Sequence, residues 1–378
     1  MSPEFVDRSR ARSLDESDIE AIAVGAAILG TGGGGNPYVG SLRAKEQLRA
    51  GRTIEVVDLD ALAPDAMVVS VGGIGAPVVG IEKIEKGDEC LQALRALEEY
   101  VGRPADAMVA AEIGGSNSIE PMITAAQAGI PVVDADGMGR AFPEVQMSTY
   151  FIYGHVPAPA ALADEKGNRV LYTRVQDMYR LERLARTATV DMGAAAGFAT
   201  APMRGDFVQR YAVPSTLTQC LELGHTVARA RRERRNVVEA VRASQQGVRL
   251  FDGKIADVRR ELKGGFAVGR VRLDGIDGNR GERAEIDIQN ENLVFRREGV
   301  VEATVPDLII VLDADSGQSI TTEVLRYGLR VSVLALPCHP LLRTPEALEV
   351  IGPAAFGYPD VPYRPLAAEG SHDATVSG

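Results

Sequence analysis

Tryptophan is absent from the 378 residues, histidine occurs four times and cysteine three times. Cys90, Cys220 and Cys338 lie far apart with no C-x-x-C pair. They cannot build a disulfide framework, so a reducing cytoplasm is the expected setting. No apolar run approaches the roughly 20 residues that cross a bilayer, and the opening MSPEFVDRSRARSLDESD lacks the apolar core of a signal peptide. The 41 Lys and Arg are outnumbered by 52 Asp and Glu, giving a net charge of −11. Nucleic acid and anionic membrane both demand clustered cations, so neither is expected as a partner. The local exception, Arg229 to Arg235 (RARRERR), is interleaved with apolar positions and reads as a solvated helix face.

What the sequence has is glycine, 40 residues of it, within an ordinary 45% hydrophobic content and a length suited to two domains. Ser13 and Glu16 have the spacing of a capping box, and a helix is expected from about 15 to 29. It leads into Gly32, Gly33, Gly34 and Gly35, after which Asn36 and Pro37 open a second helix to about Ala50. Strands are expected over 53–58, 66–71, 107–111 and 131–134, with helices over 86–101 and 118–128 between them. Such alternation implies a parallel sheet, and ligands of parallel sheets bind beyond the carboxyl ends of the strands. Three of these strands run directly into glycine-rich text: GGIGAPVVG (72–80), EIGGSN (112–117) and DADGMGRAFPE (134–144).

Beyond Asn168 the pattern changes. Helices are expected over 176–186 and 215–244, and short alternating runs over 248–304 read as a small antiparallel barrel or sandwich. LIIVL (308–312) and RVSVLAL (330–336) read as buried strands flanking a helix over 319–327. The expected fold is α/β: a three-layer α/β/α domain at 13–175, then a second domain at 176–366 containing a β-barrel at about 246–305. A disordered tail is expected at 367–378. The Arg-rich face of the 215–244 helix would suit a subunit interface, so a homo-oligomer is expected.

The four glycines are not a nucleotide fingerprint, because a helix rather than a strand precedes them and no G-K-[ST] follows. Two readings stay open: a plain turn, or backbone lining a small-molecule pocket. Glu112 and Asn117 sit just past a strand end; Glu112 is either a solvated carboxylate or a general base. Asp134 and Asp136 share one face of an extended stretch, with Arg140 following. They are either an ion-pair cluster or a site with separated pKa values. Cys338 and His339 end an apolar strand. They are core residues, or ligands for Zn2+ together with Asp136, Asp134 or Glu112; nucleophilic Cys338 is a rarer third reading.

The block EIGGSNSIEPMITAAQAGIPVVDADGMGRAFPEVQMST, with GTGGGGNP, GGIGAP and the late GPAAFGYPDVPY, resembles a bacterial family named for S-methyl thiohydantoin desulfurase. The resemblance runs from about Asp15 to Leu366. It implies an N-terminal three-layer α/β domain and a C-terminal part with a β-barrel. It also implies hydrolysis of an S-methyl thiohydantoin propionate to the hydantoin with release of methanethiol, within breakdown of methylated ergothioneine. On that expectation, zinc-bound water attacks the ring carbon and Glu112, Asp134 or Asp136 relays the proton. Gly32–Gly35, Asn36, Gly73 and Asn117 would line the substrate, and Arg140 would hold its carboxylate. Two rivals stay open: a metal-free hydantoin-processing enzyme, and a non-catalytic subunit of a hydantoinase or oxoprolinase system.

Overall fold

The computed structural model describes residues 5–75, 86–263 and 266–366. The tail at 367–378 and Ala76 to Gly80 of the second glycine cluster lie outside them. The chain forms two compact units, Met1–His225 and Thr226–Gly378.

In the first unit the opening helix, Glu16–Leu29, starts two residues later than the S-x-x-E spacing suggests. Asp15 Oδ1 accepts from the Ser17 and Asp18 N–H groups, and Asp18 Oδ2 accepts from the Asp15 N–H. The capping box is therefore Asp15 with Asp18, and Ser13 belongs instead to a strand pairing with Glu55.

Among the described residues ten strands form one sheet: β1 (Arg12–Ser13), β2 (Glu55–Val57), β3 (Met67–Gly75), β4 (Ala107–Ala110), β5 (Val132–Asp136), β6 (Ala160–Ala163), β7 (Arg169–Tyr172), β8 (Ala195–Ala199), β9 (Met203–Arg204) and β10 (Val213–Pro214). The main order is β1-β2-β5-β4-β3-β8-β6-β7, with β10 beside β5 and β9 beside β3. Neighbours β2, β5, β4 and β3 are parallel, as the strand–helix alternation predicts. Val68, Ala107, Val109, Val133 and Ala135 pack on one face of this centre with Val208 and Tyr150. The alternate residues Val69 and Met108 are fully buried too, so both faces of the centre are covered. Residues 195–214 return to this sheet, which carries the first unit on to His225.

The second unit is a curled antiparallel half-barrel of β11 (Val248–Lys263), β12 (Phe266–Gly275), β13 (Arg283–Gln289), β14 (Glu291–Arg297), β15 (Val300–Thr304), β16 (Leu308–Asp313) and β17 (Arg330–Leu336). Its order is β15-β14-β13-β12-β11-β17-β16, around a core that includes Phe251, Ile286, Phe295, Val311 and Val333. LIIVL and RVSVLAL thus belong to the same sheet as the alternating text, and the helix expected over 319–327 does not form. Arg260 explains why: its guanidinium donates to the Thr322, Glu323 and Leu325 carbonyls, which a helix would have used internally. The helix expected over 215–244 is two, Thr216–Arg232 and Val237–Ser244. Arg234 turns left-handed (φ 54°) and Asn236 caps the second by accepting from the Glu239 N–H. No helix among the described residues is long and apolar enough to cross a membrane.

The first sheet places its glycine loops in backbone contact. A Cβ on Gly115 (φ 71°) would stand 2.1 Å from the Gly34 carbonyl oxygen, whereas one on Gly129 (φ 75°) would meet nothing within 4 Å. Urea denaturation should find Gly115→Ala destabilising by more than ~2 kcal/mol. Gly129→Ala, which has only the left-handed backbone penalty, should cost ~1 kcal/mol. Equal losses would contradict the close approach.

Candidate functional site

Beyond the carboxyl ends of β4 and β5 the described glycine loops meet. The Gly34 carbonyl accepts from the Ser116 N–H at 2.8 Å and the Asn36 carbonyl from the Ser116 hydroxyl at 3.0 Å. A Cβ on Gly34 would lie 2.5 Å from the Gly114 oxygen, and one on Gly114 would lie 2.6 Å from the Ala141 nitrogen and 2.8 Å from Gly30 Cα. Arg140 crosses from the third loop, donating to Thr31 Oγ1 at 2.8 Å and to the Ala141 carbonyl, with its guanidinium over the Phe142 ring. Strand β3 joins through Asn117, whose Oδ1 accepts from the Gly73 N–H at 2.7 Å while Nδ2 donates to the Gly73 carbonyl at 3.1 Å.

This geometry changes the work of several expected ligand contacts. Gly32 and Gly33 are buried, while Gly34 and Gly35 are half-buried. The absent side chains at 34, 114 and 115 make room for neighbouring backbone. Asn36 caps the helix Pro37–Arg49 by accepting from the Tyr38 N–H. Arg140 is 0% exposed, so its charge holds the loops together inside the protein rather than meeting solvent.

Two carboxyl groups lie buried where these loops meet. Glu112 follows β4; its Oε1 accepts from Asn117 Nδ2 at 2.7 Å, and its buried Oε2 has no hydrogen-bond partner. Burial pushes its pKa up to about 7, against the Asn117 amide and the Phe142 N–H and aided by the Asp136 charge. Asp136 ends β5, fully buried. Its Oδ2 accepts from the backbone N–H groups of Ile113 (2.9 Å), Met138 (2.9 Å) and Gly139 (2.8 Å). Burial raises it also to about 7 in spite of those donors. Its Oδ1 is without a partner, and the Thr216 hydroxyl that faces it likewise makes no bond of normal geometry. Each group therefore has one oxygen fixed by the protein and one available, with proton affinity near neutral pH. That is the equipment for general acid–base work.

Asp134 shares the strand face but not the environment. Its Oδ1 accepts from the Leu217 and Thr218 N–H groups and its Oδ2 from the Thr218 hydroxyl, with Arg12 at 3.8 Å. It satisfies the first N–H groups of the helix Thr216–Arg232, a structural task.

Cys338 and His339 lie in the second unit. The Cys338 N–H donates to Asp307 Oδ1 at 2.9 Å and its Sγ lies 3.7 Å from the Tyr363 hydroxyl. Burial, with the Asp307 charge, pushes the thiol up to about 12. His339 Nδ1 accepts from the Leu341 N–H, capping the turn Pro340–Leu342. Among the described residues no three His, Cys, Asp or Glu gather as a metal site. The expected zinc ligands Cys338 and His339 thus bond within the second unit, and Asp136 within the first.

Sequence reasoning passed over other members of the site. Tyr150, fully buried, donates to the Ala110 carbonyl at 3.3 Å, and its phenol is pushed well up by burial and by Asp136. The hydroxyls of Thr149 and Thr216 are buried without partners. Thr216 carries no motif; Thr149 and Tyr150 sit at the end of the DADGMGR block, the one signal that pointed toward them.

A crystal structure of a protein from Chromobacterium violaceum, a structural-genomics target, is similar to this chain with a TM-score of 0.77. The two are 27% identical, over 94% of this chain and 100% of that one. No curated protein matches. Two family models match end to end: S-Me-THD-like, N-terminal domain, over residues 17–174, and S-Me-THD-like, C-terminal domain, over 176–366. The chain therefore belongs to the S-Me-THD-like family, the S-methyl thiohydantoin desulfurase group that its glycine-rich motifs resemble.

Proposed function

We propose that this protein hydrolyses an S-methyl thiohydantoin, replacing the methylthio group by oxygen. The reacting carbon carries sulfur and ring nitrogen. Water adds across its C=N bond, the tetrahedral intermediate collapses, the C–S bond breaks, and methanethiol leaves with one of water's protons while the ring nitrogen keeps the other. The ring keeps water's oxygen as the new carbonyl. The observation that carries this reading is Glu112, a buried carboxyl at a strand end with Oε2 unpartnered and a pKa near 7. Such a group can take a proton from water as it attacks and return it to the leaving sulfur. Asp136, whose Oδ2 is held by three N–H groups, faces it, and its charge when ionised raises the proton affinity of Glu112. Membership of the S-Me-THD-like family supports the substrate class.

A thiol-release assay on S-methyl thiohydantoins tests the proposal. Turnover should fall at least ~100-fold in Glu112→Gln. Asp134→Ala should keep kcat while losing ~1 kcal/mol of stability from the uncapped helix. Chelator-treated protein without stoichiometric zinc should retain its rate. Full activity in Glu112→Gln would overturn the assignment, and no thiol release from any S-methyl thiohydantoin would remove the named reaction.

The same carboxyl groups tie stability to pH. Both are raised in the fold above the 4.5 and 3.8 that set their unfolded behaviour. Between about pH 4 and 7 the folded protein therefore holds protons that the unfolded chain has released. Stability from these groups is complete below that window and is lost as pH rises through it. Glu112→Gln should be more stable than the parent at pH 8, by on the order of 2 kcal/mol, and equal to it near pH 4. A mutant gap that stays constant across this range would contradict the shift.

A further inference from the structure

Asn117 occupies a place that a neighbouring strand would otherwise fill. The parallel pairing of β3 with β4 stops at Val71 and Ala110, while on its other side β3 stays paired with β8 through Gly73 and Gly197. The backbone of Gly73 therefore needs a partner on the β4 side. The Asn117 amide supplies both halves, accepting from the Gly73 N–H and donating to the Gly73 carbonyl. A Cβ on Gly72 would stand 3.0 Å from Asn117 Oδ1, so glycine there lets the amide seat.

That clamp fixes the amide's orientation, because a backbone N–H requires an oxygen opposite it and a carbonyl requires an N–H. One Nδ2 proton faces Gly73, and the second points at Glu112 Oε1, 2.7 Å away. An oxygen receiving that donor from a locked amide is held as an acceptor. We propose that Asn117 is a positioning residue that confines the exchangeable proton of Glu112 to Oε2. This rests on the reading of Glu112 as the proton-transfer group. It adds which oxygen does the work and which residue chooses it. The other groups facing Glu112 do not make that choice. Asp136 is an acceptor whose charge favours protonation at either oxygen, and the Phe142 N–H makes no bond of normal geometry to Oε2.

Infrared difference spectroscopy on the full chain, with Glu112→Gln identifying the Glu112 band, tests the proposal without any substrate. Asn117→Ala should raise the carbonyl stretch of protonated Glu112, because Oε1 loses its donor. It should also move that band's titration midpoint up by about one pH unit, a tenfold gain in proton affinity. Asn117→Asp, of nearly the same shape, keeps an acceptor for Gly73 but offers Glu112 a second carboxylate, and should move the midpoint further upward. Turnover, where thiol release is observed, should show the same displacement of its acid limb rather than a uniform drop at every pH. A band and midpoint unchanged in either folded variant would overturn the proposal. Failure of thiol release with the band shifting as expected would remove the reaction and leave the positioning role standing.

Discussion

The structure turns on one carboxylate oxygen. Asp136 Oδ2 gathers the Ile113 N–H from the loop after β4 and the Met138 and Gly139 N–H groups from its own loop after β5. Three backbone donors on one buried oxygen fix the separation and orientation of the two strand-end loops. Ile113 is the neighbour of Glu112, so the same bond that anchors Asp136 sets where the second carboxyl begins. Burial then acts on both groups, and their raised proton affinity follows from position rather than from any single partner.

The glycines serve that arrangement. Loops can approach to backbone contact only where Cβ is missing, and Gly30, Gly34, Gly114 and Gly115 meet at such distances. Arg140 completes the inner tie with a guanidinium fully withdrawn from water, bonded to Thr31 and stacked on Phe142. A buried cation of this kind is costly to leave unmatched, so its partners rigidify the loops around the carboxyl groups. Rigidity here has chemical value, because proton transfer depends on which oxygen faces the reacting atom.

Much of this was legible in the sequence. Strand–helix alternation gave the parallel sheet, and the glycine text at consecutive strand ends pointed to one edge, where Glu112 and Asp136 lie. Local spacing could not say whether a missing side chain makes room for a ligand or for another backbone, and at Gly34 and Gly115 it makes room for backbone. Nor could spacing separate Asp134 from Asp136, which share a strand face. Their partners differ because Asp134 meets the start of a helix at Leu217 and Thr218, some 80 residues away. The lost helix at 319–327 has the same kind of cause, since Arg260 takes its carbonyls from a distant strand. Cys338 and His339 looked like metal ligands from their types alone. In the fold the Cys338 N–H donates to Asp307, and the His339 ring accepts from the Leu341 N–H.

The central claim is that the loop junction around Glu112 and Asp136 is where the ring substrate reacts. A crystal structure of the protein soaked with the hydantoin product addresses it directly. The account predicts the five-membered ring within hydrogen-bond distance of Glu112 Oε2, with its new carbonyl nearest that oxygen. Product bound elsewhere, with the junction around Glu112 still closed to it, would contradict the account.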